Sequence, residues 1–140
     1  MALKMDKAAL EAFLAEEFPE GAADFSVEDV GEHWVRIRKH VRPGHLRPGG
    51  TVSGPTMFAL ADVSIYLALL AVIGPAALAV TTNASIDFMR KPAAGTDLLA
   101  EGRLLKVGKA LAVGDVLIRS EGSDAPVARA SVTYAIPPRS

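Results

Sequence analysis

The chain has 140 residues, 50% of them hydrophobic and 22% charged, with a formal net charge of -1 and no cysteine. That length and balance suit one globular domain, spanning 1–140, with a core of its own. Near-neutral charge supplies no general field for nucleic acid or an anionic membrane. The lack of cysteine excludes disulfides, thiolate nucleophiles and cysteine-ligated zinc, and fits a reducing compartment.

The first residues, MALKMDKAALEAFLAEEF, do not read as a signal peptide, because Glu11, Glu16 and Glu17 interrupt the apolar stretch. Asp6 can instead cap a helix over about 6–18, with Leu10, Phe13, Leu14 and Phe18 spaced by threes and fours, closed by Pro19. A strand is expected over Phe25 to Val30. Trp34 to Val41 alternates, Val35 and Ile37 against Arg36 and Arg38, as a half-buried strand does. RPGHLRPGG at 42–50 holds two prolines and three glycines and reads as a loop.

A long helix is expected over about 55–73. Ser53 or Gly54 can cap it, and Pro55 suits the first helical position. It would be roughly 28 Å long. From Val52 to Thr82 the single charge is Asp62. At mid-membrane that charge would cost roughly 2.5–3.5 kcal/mol, Gly74-Pro75 ends the helix early, and the apolar runs flanking Asp62 are short for a span. A buried core helix is the better reading, with no membrane partner.

The remainder reads as four strands: Ala79 to Met89, Leu98 to Val107, Leu111 to Arg119 and Val127 to Ile136. Turns at Pro92–Gly95, Gly108-Lys109 and Gly122–Asp124 join them, which implies antiparallel pairing. In the last strand Ala128, Ala130, Val132, Tyr134 and Ile136 share one face. The expected class is α+β, a curved antiparallel sheet wrapped around a long central helix.

GTVSGPTMFALAD, residues 50–62, resembles the pattern G-x-x-H-G-G-x-x-x-x-L-x-D at the start of the central helix in the PaaI-like hotdog-fold acyl-CoA thioesterases. SIDFMRKPA at 85–93 resembles that family's strand ending in an Arg-Pro-Ala turn, and GRLLKVGK at 102–109 its next hairpin. The similarity runs from about Gly44 to Ile136. It implies a hotdog fold and hydrolysis of a CoA thioester to free acid and CoA. Asp62 then matches the family's general base or nucleophile, Gly54 the residue whose N–H meets the thioester oxygen, and Thr81 a hydroxyl that positions water. Ser53 occupies the place of the motif histidine, Pro55 that of the second glycine, and Arg47 that of a loop asparagine.

Thioester hydrolysis needs a base on water and a donor for the developing oxyanion, and a helix N-terminus supplies the donor. Pro55 has no N–H, but Gly54 keeps its own. Gly54 and Asp62 stand eight residues, or about 12 Å, apart along one helix. One carbonyl cannot easily reach both, whereas a two-fold dimer can set one protomer's Asp62 near the other's Gly54. The family's dimeric sites resemble this. The partner expected is therefore a second copy of the chain, as a dimer or a dimer of dimers.

A structural alternative for Asp62 is a carboxylate bonded to Ser64, Thr81 or Tyr66. Arg90, Lys91 and Lys109 sit at turns where they can meet coenzyme A phosphates. Arg47 and His45 flank the expected entrance, and Phe58, Leu60, Ile65, Tyr66 and Met89 can line an apolar pocket. His33, His40 and His45 lack metal spacing, so neither a metal nor a cofactor is expected, coenzyme A being part of the substrate. Two other activities stay open: a non-catalytic acyl-CoA binding or sensing protein, and a hotdog dehydratase, disfavoured because position 53 is not histidine. The expected localisation is cytoplasmic.

Overall fold

In the computed structural model, which describes residues 3–138, the first helix α1 runs Lys7–Glu17 and the second, α2, Gly54–Ile73. The strands are β1 (Phe25–Gly31), β2 (Trp34–Lys39), β3 (Val80–Phe88), β4 (Leu98–Val107), β5 (Leu111–Ser120) and β6 (Pro126–Ala135). They form one antiparallel sheet in the order β1-β2-β4-β5-β6-β3. β2 stops short of the expected Val41. There the chain leaves the ladder: His40 N–H donates to Asp24 O at 2.8 Å and Val41 N–H to Asp97 Oδ1 at 2.9 Å.

The ends of both helices follow from local chemistry. Asp6 accepts the Ala9 N–H at 2.9 Å and so caps α1. Ser53 caps α2 by accepting the Thr56 N–H at 3.3 Å, with Pro55 in the first turn. Gly74, at φ 92, terminates it while donating to Leu70 O at 2.8 Å.

α2 lies in the hollow of the sheet, over β2, β4, β5 and β6. It is long and apolar enough to cross a membrane, with a mean hydropathy of 2.1, but 67% of that stretch is buried inside the protein. Leu60, Ile65, Leu67, Leu69 and Leu70 are fully enclosed. Two glycines set how closely the helix approaches. A Cβ on Gly114 of β5 would lie 2.5 Å from Ile65 Cδ1 and 2.8 Å from the Arg103 carbonyl oxygen. A Cβ on Gly102 of β4 would lie 3.3 Å from the same Cδ1. The Ile65 side chain thus rests on two bare patches of backbone.

The two edges of the sheet differ. At the β1 edge, α1 packs alongside and Glu11 Oε2 accepts the Val27 N–H at 3.0 Å. At the β3 edge no described strand follows, and β3 is exposed or only partly buried along its whole length.

Gly114→Ala is expected to lower unfolding free energy by about 1–3 kcal/mol through overpacking, and Gly102→Ala by less. Urea titration of both variants measures this. A Gly114→Ala midpoint equal to wild type would show that the seat under Ile65 is not tight.

Candidate active site

Asp62 stands two turns into α2, partly exposed among buried neighbours. Thr81 Oγ1 donates to Asp62 Oδ1 at 2.5 Å. Tyr134 OH is 2.8 Å from the same oxygen and 3.1 Å from the Asp62 carbonyl oxygen. Thr81 and Tyr134 face one another across β3 and β6, so both side chains emerge on the same face. Directly after Thr81 the register slips, leaving Thr82 as an extra residue in β3. Such a bulge re-aims the side chains beside it. Oδ2 of Asp62 accepts no hydrogen bond from the described residues. One carboxylate oxygen is thus held and the other is open, which suits a base or a nucleophile.

Tyr134 is the residue that sequence reading missed. Burial, reinforced by the neighbouring Asp62 charge, holds its phenol well above the usual tyrosine range. It therefore stays protonated and donates at any ordinary pH. A signal was available: a tyrosine on the inner face of β6 must find a partner for its hydroxyl, and the one charge on the central helix is Asp62. The Tyr134 ring lies 5.6 Å from that of Tyr66, which in turn meets Phe18 at 5.8 Å and Phe13 at 6.3 Å. The first helix and the segment after it thereby buttress the ring that holds Asp62.

Several expected placements are corrected. Ser64 donates to Leu60 O at 2.7 Å, and the Tyr66 hydroxyl, pushed up to about 12 by burial, lies 3.4 Å from Ala77 O. Neither reaches Asp62, because Ser64 bonds back along its own helix and Tyr66 points toward the aromatic cluster. Leu60 and Ile65 are turned into the core, so of the five expected pocket residues only Phe58 and Met89 line cavities at the site. His45 stays beside the helix head, its carbonyl accepting the Ser53 N–H at 2.9 Å, but its ring is engaged elsewhere: Nδ1 accepts the Arg42 N–H at 2.9 Å and Nε2 lies 3.6 Å from Asp24. Lys109 belongs to the β4–β5 turn, near the start of β3, whereas Arg90 and Lys91 follow its far end. One chain does not gather the three cations.

At the head of α2, Ser53 Oγ is committed to the cap and lies 2.8 Å from Thr56 Oγ1. The Gly54 N–H precedes the first intrahelical bond and has no partner among the described residues. A Cβ on Gly54 would stand 3.3 Å from the tip of the Phe88 ring, so the glycine lets the ring approach closely. Beside it opens a cavity of about 550 Å³ whose lining includes Arg47, Arg90 and Lys91. Arg90 also donates to Pro126 O at 2.6 Å. Another depression, of about 540 Å³, lies on the outer face of the sheet among Asp87, Glu101, Arg103, Asp115 and Arg129. It is turned away from Asp62 by the thickness of the sheet, and Arg129 and Asp87 there pair with each other at 2.9 Å.

The loop that carries Arg47 is tied down at its base. Asp24 meets Arg42 at 2.9 Å and the buried Lys39 at 3.4 Å. Burial pushes the Asp24 carboxyl up, but Arg42 and Lys39 together bring it below the usual range. Burial also opposes Asp97, where the Val41 N–H and Arg38 outweigh it. Arg38 likewise lowers Glu28.

The fold and this site define a class, a hotdog-fold α+β protein with an acidic residue on its central helix. The thioesterase superfamily matches residues 49–127, more than half of the chain, and the chain belongs to that superfamily. Its PaaI-like character is equally plain. A candidate thioesterase from Silicibacter sp. is 58% identical, with a TM-score of 0.92 over 99% of this chain and 96% of that one. A mutant of the phenylacetic acid degradation protein PaaI from Thermus thermophilus is 28% identical, with a TM-score of 0.73 over 85% and 99%. A hypothetical thioesterase from Streptococcus pneumoniae, solved with coenzyme A, is 21% identical and shares the fold, with a TM-score of 0.77 over 94% and 98%. Comparison with curated proteins returns no match.

Two outcomes are expected. Thr81→Val and Tyr134→Phe should each cost about 1–2 kcal/mol of stability, and the double variant should depart from additivity, because both donors share Oδ1; a urea double-mutant cycle reads this. Asp24, Asp97 and Glu28 are lowered in the folded state, so their stabilisation is complete above the unfolded values of 3.8 for Asp and 4.5 for Glu. It should fade as pH falls through that range and on through the lower folded values. Urea midpoints taken across acid pH test this, and Asp24→Asn should flatten the decline.

Proposed function

We propose that the protein hydrolyses an acyl-CoA thioester to the free acid and coenzyme A, with Asp62 as the base or nucleophile and the Gly54 N–H as the oxyanion donor. The observation that carries this reading is the Asp62 carboxylate, with one oxygen held by Thr81 and Tyr134 and the other open. In the base route Oδ2 takes a proton from water as the hydroxide oxygen adds to the carbonyl carbon. The carbonyl oxygen becomes an alkoxide facing the Gly54 N–H, at the positive end of α2. Collapse breaks the carbon–sulfur bond, and the proton on Asp62 returns to the leaving thiolate. In the nucleophile route Oδ2 attacks the carbonyl carbon and expels the coenzyme A thiolate, leaving a mixed anhydride; water then cleaves it to free the acid and the Asp62 carboxylate, and the proton released goes to the thiolate. Water and these side chains suffice, without a metal or redox cofactor.

Coenzyme A as the thiol half is supported by the Arg47, Arg90 and Lys91 cavity beside Gly54, since three cations suit phosphates. The Streptococcus pneumoniae protein of the same fold, solved with coenzyme A, supports it further. Ser53 acts through the cap, by fixing where the Gly54 N–H points.

The working unit is a homodimer joined along β3. The contrast between the two sheet edges supports it, because an uncovered apolar edge invites another strand. Leu78 and Val80 at one end of β3, and Phe88 and Met89 at the other, are all exposed. A two-fold axis there sets antiparallel copies of β3 side by side and brings Asp62 of one protomer toward Gly54 of the other. The whole chain acts as one domain, and the cysteine-free composition accords with work in the cytoplasm.

Release of free thiol from a series of acyl-CoAs tests the activity. Asp62→Asn should lower kcat by about 10²–10⁴ with little change in KM. Tight binding of the esters without turnover would instead favour the sensing role. Co-expression of Asp62→Asn with Gly54→Pro protomers tests the shared site. Neither homodimer should work, yet the mixture should recover about one quarter of wild-type activity, since each mixed dimer keeps one complete site. No recovery would place both groups in the same chain's site.

A further inference from the structure

Two cavities meet at Gly54. Besides the basic one, an apolar cleft of about 430 Å³ is lined by Gly54, Pro55, Phe58, Ile86 and Phe88, none of which offers a polar side chain. Only Gly54 and Phe88 line both. A thioester whose carbonyl sits at the Gly54 N–H, with its coenzyme A in the basic cavity, must therefore run its acyl chain past the tip of the Phe88 ring into the cleft. Phe88 thus stands at the junction of the two cavities.

Phe58 and Ile86 bound the cleft on the side away from Gly54. Beyond Phe58 and Ile86 lies a void bordered by Ala61, Ala84, Ala130 and Val132 that admits no water. From Gly54 to Phe58 the helix rises about 6 Å, the length of an extended chain of about five carbons. We propose that Phe58 and Phe88 are the acyl-length determinants of this protein, Phe88 at the mouth and Phe58 at the end of the cleft, and that its substrates are short unbranched saturated acyl-CoAs. This rests on the thioesterase reading above. Each added methylene gains apolar contact until the chain meets the Phe58 ring, and then must displace it or turn into solvent. Hydroxylated and charged acyl groups find no polar side chain along it to replace the water they give up on contact.

The test is hydrolysis of acetyl- through decanoyl-CoA by the full chain. Wild-type kcat/KM should peak near pentanoyl and fall by about tenfold or more at decanoyl. Phe58→Ala opens the cleft onto the void bordered by alanines. It should raise the decanoyl-to-butanoyl ratio by about tenfold, while the space-filling Phe58→Leu stays near wild type. Phe88→Ala should widen the mouth and admit branched chains that wild type rejects. A flat wild-type profile, or one that Phe58→Ala leaves unchanged, overturns the proposal. If no ester turns over, the thioesterase reading fails separately. The length rule is then read by calorimetry with non-hydrolysable S-alkyl coenzyme A thioethers, in wild type and Phe58→Ala, and the same two patterns support or overturn it.

Discussion

The seating of α2 on the sheet is the contact on which the rest of the molecule depends. An almost wholly apolar helix must be enclosed, and enclosure by a curved sheet works only if helix and strands approach closely. Gly102 and Gly114 make that approach possible by leaving bare backbone beneath Ile65. The helix then stands at the height where Asp62, three residues before Ile65, comes within hydrogen-bond reach of Thr81 and Tyr134. A helix lifted by one methyl group would weaken both bonds, so packing at the centre and chemistry at the rim are one constraint.

The carboxylate is held unevenly, and the uneven hold is what suits it to act as a base or a nucleophile. A charge bonded through both oxygens would be a structural ion, and one bonded through neither would be costly among apolar neighbours. Two hydroxyls on one oxygen meet the solvation need and leave the other oxygen open. Tyr134 suits this because its raised phenol remains a donor. Its ring is backed by Tyr66 and by Phe13 and Phe18, which gives the N-terminal segment a part in a site it never touches.

Much of this was legible in the chain. The β2 and β6 alternations marked inner faces that are buried, and Ser53, Pro55 and Gly74 marked the limits of α2 because caps and turns are local chemistry. Asp62 stood out as a lone charge in an apolar run, and Thr81 was among its expected partners. Tyr134 lies 72 residues from Asp62. Only strand pairing with a slipped register brings them together, and no periodicity within a segment encodes that. The engagement of the His45 ring was hidden for the same reason: its neighbour Asp24 is remote in sequence, and such distant pairs fix how a loop side chain turns.

By itself the sequence determined the order and character of the elements, the burial of the central helix and the single carboxylate it carries, since these follow from patterns within a few turns or strands. Only the tertiary structure decided which hydroxyls hold that carboxylate, which oxygen is left open, and which sheet edge is covered and which bare. Those outcomes depend on register and on close backbone approach between distant segments, where a shift of one residue or one methyl group changes the answer.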